Sequence, residues 1–347
     1  MPPTRYQGSK RRLAAWIMDC LADYDFRTVL DAFAGTGSVA YAFKHAGKAV
    51  TCNDLLAFNH QIGLALVENK AEQLPHDQLE TLLAPGDGRV YDDFIARTFE
   101  GIYFTAAENR WLDVVVQNLT DVPCRHRRAL GFFAVYQAAM AKRPYNLFHR
   151  RNLYMRTADV ARSFGNKVTW DRPFEDHFRC FANQGNQAVF DSGTACVSTC
   201  GDVLDIAGTF DLVYLDPPYM NSKGVGVDYH HFYHFLEGLT AYRHWGERID
   251  HRSPHRRLHA VPSPWTKPGE IHRAFERVFE RFSESIVAVS YRSDGIPSVE
   301  ELADMLHRFK GRVTCHTCQP SPYALSKNRG TREVLLIGSD HRSNSVR

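Results

Sequence analysis

Long apolar runs are missing from this chain of 347 residues. No window approaches the roughly 20 apolar residues of a membrane span, and the polar, basic start MPPTRYQGSKRRL lacks the apolar stretch of a secretory signal. The expectation is a soluble cytoplasmic protein with no membrane partner. A disulfide scaffold is missing too: the eight cysteines, Cys20 to Cys318, are scattered through a long chain and read mostly as reduced core thiols. Cys315 and Cys318 form a single CxxC with no second ligand pair at zinc-finger spacing, so they read as strand residues and no metal is expected. There is no internal repeat and no low-complexity segment, which excludes solenoids and filaments. Charge of one sign is also scarce. The net charge is only +3, so the field of the whole chain announces no polyanion.

What is present is an ordinary globular composition, 44% hydrophobic and 23% charged, enough for one large core or two smaller ones. TVLDAF (28 to 33) is an apolar, β-rich run that stops at AGTG, and VAYAFKHAG then takes up helical spacing and ends on Gly47. KAVTCND (48 to 54) reads as a second strand. Strand, glycine turn, helix, strand argues a doubly wound, mostly parallel α/β sheet. From about 60 to 195 the rhythm changes to helical stretches, RALGFFAVYQAAMA the clearest, followed by the polar passage FANQGNQAVFDSGTA. Five more strand candidates follow: ACVSTC, TFDLVYLD, SIVAVSY, GRVTCHT and TREVLLIG, with VEELADMLHRF as a helix among the last three. The organisation expected is one α/β domain, residues 1–60 and 196–347, interrupted by an inserted domain at 61–195. The tail SDHRSNSVR is expected to fray.

Two motifs carry chemistry. In DAFAGTG, Gly35 and Gly37 let backbone approach a ligand, and Asp54 at the tip of the next strand can accept hydrogen bonds from ribose hydroxyls. The full GxGxxG is absent, because Ser38, Val39 and Ala40 follow Gly37, which weakens the claim of a pyrophosphate. A ribose-bearing cofactor without phosphates, such as S-adenosylmethionine (AdoMet), fits at least as well. Asp31, Asp54, Asp202 and Asp216 all fall at or just after strand ends, so they are candidates for one crevice. Asp216 opens DPPY. Its carboxylate and the Pro217 carbonyl can both accept hydrogen bonds from an exocyclic amine, drawing the nitrogen lone pair out of conjugation with its ring. Pro217 and Pro218 stiffen the loop, and Tyr219 offers a face for a planar base.

Together RYQGSK, DAFAGTGSVAYAF, the Asn53-Asp54 strand tip, GDV at 201 to 203, LDPPY, SYRSDGIPS and REVLLIG resemble the Dam-type, α-class DNA adenine-N6 methyltransferases, in the family's own order. The resemblance covers about 60 residues at the front and 150 at the back. It implies a seven-stranded AdoMet-methyltransferase sheet, AdoMet contacts by Tyr6, Lys10, Phe33 and Asp54, and a catalytic tetrad of Asp216, Pro217, Pro218 and Tyr219. It also implies that the insertion is a target-recognition domain. There, KRPYNLFHRRNLYMR (142 to 156) has five Lys and Arg residues, no acid and interleaved aromatics. Lys142, Arg143, Tyr145, Asn146, His149, Arg150, Arg151 and Asn152 are its candidate contacts to double-stranded DNA. A second basic knot, HRSPHRR, lies at 251 to 257. His230, His231 and His234 resemble a metal cluster, but AdoMet chemistry needs no metal, so they are expected at the surface or on DNA.

Four readings compete. Within the wider family that the motifs resemble, Asp before the two prolines is similar to the adenine-N6 enzymes, which favours adenine, with cytosine N4 as the alternative. A nicotinamide dehydrogenase would share the glycine turn but leaves LDPPY without a role. An inactive DNA-binding module would need neither Asp216 nor Tyr219. The expected function is therefore site-specific adenine-N6 methylation of DNA, alone or beside a cognate restriction endonuclease.

Overall fold

The computed structural model describes residues 1–159, 166–221, 223–318 and 331–340. All but the first two residues of the tail SDHRSNSVR lie outside them. The chain clusters into two compact units: Met1–Gly8, Leu56–Asp191 and Tyr229–Val261 form one, and Ser9–Leu55, Ser192–Asp228 and Pro262–Arg347 form the other. Met1–Gly8 and Tyr229–Val261 thus group with the helical residues, where the sequence suggested the α/β part.

The α/β unit holds seven strands: β1 (Thr28–Asp31), β2 (Ala49–Asp54), β3 (Val197–Cys200), β4 (Leu212–Leu215), β5 (Ile286–Arg292), β6 (Arg312–Thr317) and β7 (Glu333–Ser339). They lie in the order β3-β2-β1-β4-β5-β7-β6. The pairs β1–β2, β2–β3, β1–β4 and β4–β5 are parallel, whereas β7 runs antiparallel to both β5 and β6. This is the doubly wound, mostly parallel, seven-stranded sheet expected. The physical reason is plain in β4 and β7. Every residue of LVYL and of EVLLIGS is buried, the continuous apolar pattern of strands covered on both faces. Leu30, Val213, Leu215, Val287 and Leu336 share one core, and such side chains contribute about 1.5–3 kcal/mol each when fully buried.

Edge strands differ. β6 alternates exposed and half-buried residues, so Cys315 is exposed rather than a core thiol, and of the eight cysteines only Cys52 and Cys196 are buried. In the helical unit, Arg125–Ala141 buries all thirteen residues from Ala129 to Ala141. The passage FANQGNQA, polar in sequence, forms the last eight residues of the helix Phe174–Ala188. Its Gly185 faces Leu130 and Phe133, and a Cβ there would stand 3.0 Å from Leu130 Cδ2. Close helix contact, not a loop, explains the glycine.

Candidate active site

After β1 the chain moves outward to β2 and β3, then returns to place β4 on the other side of β1. Neighbouring connections therefore diverge between β1 and β4, and a crevice opens beyond their carboxyl ends. Asp31 closes β1, pairing in register with Tyr214 of β4, and Asp216 stands one residue past β4. Asn53 ties the neighbouring strand ends together. Its amide donates to the carbonyls of Ala32 (3.1 Å) and Gly201 (3.0 Å), and its Oδ1 accepts the Thr199 hydroxyl (2.9 Å).

The glycine turn is built as the sequence suggests. Gly35 and Gly37 have φ of 53° and 71°, a left-handed backbone that strains any L side chain. Gly37 N–H donates to the Ala34 carbonyl at 2.7 Å, and Asp54 Oδ2 accepts the Gly35 N–H at 2.7 Å. Asp31 Oδ2 accepts the Ala40 N–H (2.9 Å) at the start of the helix Ser38–His45, while its Oδ1 is buried without a hydrogen-bond partner. Burial, then the neighbouring Asp216, pushes the Asp31 carboxyl well above the usual carboxylate range. Asp216 and Asp54 both act on Asp31 as like charges, and Lys10 is the cation that opposes them. An orphaned buried acceptor and surplus negative charge suit a ligand carrying cationic groups. The ammonium and sulfonium of AdoMet meet that requirement. Phe33 packs edge-on against Trp265, ring centroids 4.9 Å apart. Asp202 is exposed, its Oδ1 accepting the Leu204 N–H at 2.9 Å, and it lines a cleft of about 420 Å³ with Leu204, Pro264, Trp265 and Arg273. A cleft of that size has room for the adenosine moiety.

DPPY is held from below. Lys10 Nζ donates to Asp216 Oδ1 (2.7 Å) and Oδ2 (2.8 Å), and its own N-terminal segment is fixed by Ser9, whose hydroxyl meets that of Ser38 at 3.1 Å. The Tyr219 hydroxyl also reaches Asp216 Oδ1, at 2.8 Å. Oδ1 therefore has two donors and Oδ2 one, which leaves Oδ2 a second acceptor position. Among the described residues the Pro217 carbonyl accepts no hydrogen bond, whereas the carbonyls of Tyr219 and Met220 are taken by the N–H groups of Val227 and Ile296. Two acceptors thus stand adjacent on a stiff segment. Burial raises the Asp216 carboxyl above its ordinary value; Lys10 opposes this and Glu333 adds to it. Burial alone would lower Lys10, but Asp216 and Glu333 outweigh it and the ammonium titrates above its usual range.

Tyr6 belongs to the helical unit. It stacks between Tyr229 and Tyr233, with centroids 5.6 and 4.7 Å away, and its hydroxyl accepts from Asn59. The candidate DNA residues divide sharply. Lys142 is buried, paired with Glu108 at 2.8 Å and donating to the carbonyls of Trp170 and Arg172. Arg143 is buried too, donating to the carbonyls of Leu147 and Arg150 with its guanidinium 4.5 Å from the Tyr103 ring centre. Burial pushes it down to about 9. Asn152 is likewise buried. Lys142 and Arg143 hold the fold, because their donors are turned to carbonyls and packed rings rather than to solvent, and the buried Asn152 offers solvent no polar group. Tyr145, Arg150 and Arg151 are exposed, and Asn146 and His149 half-buried. His234 is buried, not superficial: its Nε2 lies 2.8 Å from the Tyr103 hydroxyl, and burial pushes it down to about 3. Among the described residues no group of three or more His, Cys, Asp or Glu is placed to hold a metal.

Sequence reasoning missed Glu333, Ser290 and Trp265. The signal for Glu333 was available: a lone carboxylate opens the otherwise apolar run EVLLIG.

Comparison with known proteins bears on this geometry. Residues 6–255 match the model of the D12 class N6 adenine-specific DNA methyltransferases. The chain is 29% identical over 323 residues to the type II methyltransferase M2.HphI of Haemophilus parahaemolyticus, covering 90% of each chain. It is 25% identical to the modification methylase LlaI of Lactococcus lactis subsp. lactis, covering 88% of this chain and 49% of that one. It is 22% identical to the type II methyltransferase M.NlaIII of Neisseria lactamica, with 88% of each chain covered. With the acceptors of DPPY, the glycine turn and an acid at the tip of β2 all assembled in one sheet, the chain belongs to the D12 class of N6 adenine-specific, AdoMet-dependent DNA methyltransferases.

Proposed function

We propose that this methyltransferase is site-specific, acts in the cytoplasm on one adenine flipped from a duplex, and works as the modification partner of a cognate restriction endonuclease. The observation that carries the catalytic part is the pair of adjacent acceptors, Asp216 Oδ2 and the Pro217 carbonyl. A base inside a duplex cannot reach them, so it must leave the stack at a cost of a few kcal/mol. Tyr219 stacks on the extruded ring. Asp216 and Pro217 each accept one hydrogen of the N6 amine, which tilts the nitrogen lone pair out of the ring plane. AdoMet supplies an electrophilic sulfonium methyl group. As positive charge develops on nitrogen, Asp216 stabilises it and takes the proton the amine releases. Lys10, and the stiffness of Pro217 and Pro218, keep these acceptors oriented before reaction. Asp31, Phe33, the turn of Gly35 and Gly37, Asp54 and Asp202 hold the cofactor.

The restriction partner is supported by the relatives named modification methylase and type II methyltransferase. Methylation-sensitive sequencing of DNA from cells expressing the protein should find N6-methyladenine confined to one short motif. Methylation scattered without a motif, or N4-methylcytosine in its place, would defeat the assignment.

For DNA contact the proposal falls on Arg150, Arg151 and their neighbours Tyr145, Asn146 and His149. Tyr145 and Asn146 both hold positive φ, 66° and 59°, a costly backbone for non-glycine residues that leaves the Tyr145 ring 55% exposed. The second basic knot is close by. The Tyr103 hydroxyl lies 2.5 Å from the Phe148 carbonyl and 3.1 Å from that of His255, so segments a hundred residues apart share one anchor. Arg150→Ala and Arg151→Ala should each weaken duplex binding and reduce the slope of log affinity against log salt by about 1. Lys142→Ala should leave that slope unchanged and instead cost about 1–3 kcal/mol of stability, since Glu108 and the carbonyls of Trp170 and Arg172 each lose a donor, Arg156 still donating to Glu108 and Trp170. Denaturant melts and salt-dependent anisotropy would separate the two classes, and a reversed pattern would refute the division.

A further inference from the structure

One carboxylate beside DPPY has no part in the chemistry above. Glu333 is the first residue of β7, 4% exposed, and in the antiparallel ladder it stands opposite Arg292. A buried carboxylate is unfavourable unless its oxygens are satisfied. The groups that satisfy this one are informative. Glu333 Oε1 lies 2.6 Å from the Tyr219 hydroxyl, 2.6 Å from the Ser290 hydroxyl and 3.4 Å from Lys10 Nζ. Two of these three groups belong to the catalytic segment or its support.

The Tyr219 hydroxyl sits between two carboxylates, Asp216 Oδ1 at 2.8 Å and Glu333 Oε1 at 2.6 Å. A phenol has one proton, so it can donate fully to only one of them at a time. Lys10 is shared in the same way. We propose that Glu333 is a positioning residue for methyl transfer: it takes the Tyr219 hydrogen bond when the substrate amine engages Asp216, which keeps the aromatic ring anchored and relieves the Asp216 carboxylate of a competing donor. No bond is made or broken in this exchange. One hydrogen bond turns from Asp216 Oδ1 to Glu333 Oε1, and the Asp216 carboxylate, with one donor fewer, is left a stronger acceptor for the amine at Oδ2.

The role rests on Asp216 and Tyr219 acting as proposed above, and it adds what they alone do not require, an anionic second acceptor. Its signature is a pH profile. Asp216 must be ionised to accept the amine, so the rate of transfer should rise with pH through the Asp216 titration. The groups facing Asp216 are Lys10 from the N-terminal segment, Glu333 from β7, Asp31 and Tyr214 from β1 and β4, and Tyr219 from its own segment. Burial raises Asp216 most, Lys10 opposes it, and Glu333 raises it further as a like charge. Removing the charge of Glu333 should therefore move the acid limb of the profile to lower pH.

The test measures single-turnover methylation of a duplex by wild type, Glu333→Gln and Tyr219→Phe across pH, with AdoMet and duplex affinities measured alongside. Gln keeps the volume and an acceptor oxygen but not the charge. The expected result is a rate about tenfold lower, affinities within about threefold of wild type, and an acid limb displaced downward. Tyr219→Phe should slow transfer by a similar factor, and the double variant should be little worse than either single one, because both act on the same contact, one by removing its charge and the other by removing its donor. An unmoved acid limb in folded Glu333→Gln, or additive losses in the double variant, would overturn the role. Should Glu333→Gln fail to fold, Tyr219→Phe still decides, since wild-type rate without the hydroxyl leaves nothing for Glu333 to position. If wild type itself methylates no adenine, the catalytic reading has failed first.

Discussion

Asp216→Ala is expected to lower the rate of adenine methylation by at least two to three orders of magnitude while leaving the protein folded. The size follows from what is removed, an anionic acceptor preorganised where charge develops on the amine; deleting one such group typically costs 10²–10³ in rate. The fold should survive for a reason visible in the packing. Lys10, the buried partner of Asp216, keeps Glu333 at 3.4 Å, so the substitution strands no uncompensated charge. Single-turnover assays with radiolabelled donor, run beside thermal melts, test both halves. Substantial remaining activity would remove Asp216 from the mechanism, and an unfolded variant would show that the ion pair is structural first.

Asp54→Ala should weaken AdoMet binding by about 10- to 100-fold, with duplex affinity changed less than about threefold. Hydrogen bonds to a charged group contribute about 1.5–3 kcal/mol, and Asp54 is expected to accept from the cofactor ribose. It has a second duty: its Oδ2 accepts the Gly35 N–H at 2.7 Å and so pins the glycine turn. Both duties act on the cofactor and neither on DNA. Calorimetric titration of AdoMet against anisotropy of a labelled duplex would show the asymmetry, whereas equal losses would make Asp54 a purely architectural residue.

How much of this was legible without a structure depends on the kind of residue. Asp31, Asp54 and Asp216 could be placed at strand ends because apolar runs stop at them, and the sheet order then brings Asp31 and Asp216 to the point where its connections diverge. The glycine turn was legible because glycine adopts the φ of 53° and 71° found there without the strain an L side chain brings. The basic segment 142–156 was legible as charge but not as surface. Lys142 and Arg143 read like Arg150 and Arg151, yet the first two face carbonyls and rings inside the helical unit. The polar stretch around Gly185 misled for a related reason: Gly, Asn and Gln are tolerated in a helix when one face packs closely and the other meets water.

By itself, then, the sequence determined the residues on offer: a DPPY segment proposed to accept an amine, a glycine turn proposed to meet a nucleoside, an acid at the second strand tip and a parallel sheet to carry them. These depend on local backbone preference and on residue order, which a linear string records. Only the tertiary structure decided which charges are available and which are consumed. Glu333 reaches Tyr219 across 114 positions, and Lys10 reaches Asp216 across 206, because sheet pairing joins segments distant in the chain. Burial, and with it the cost and use of each charge, is set by those neighbours.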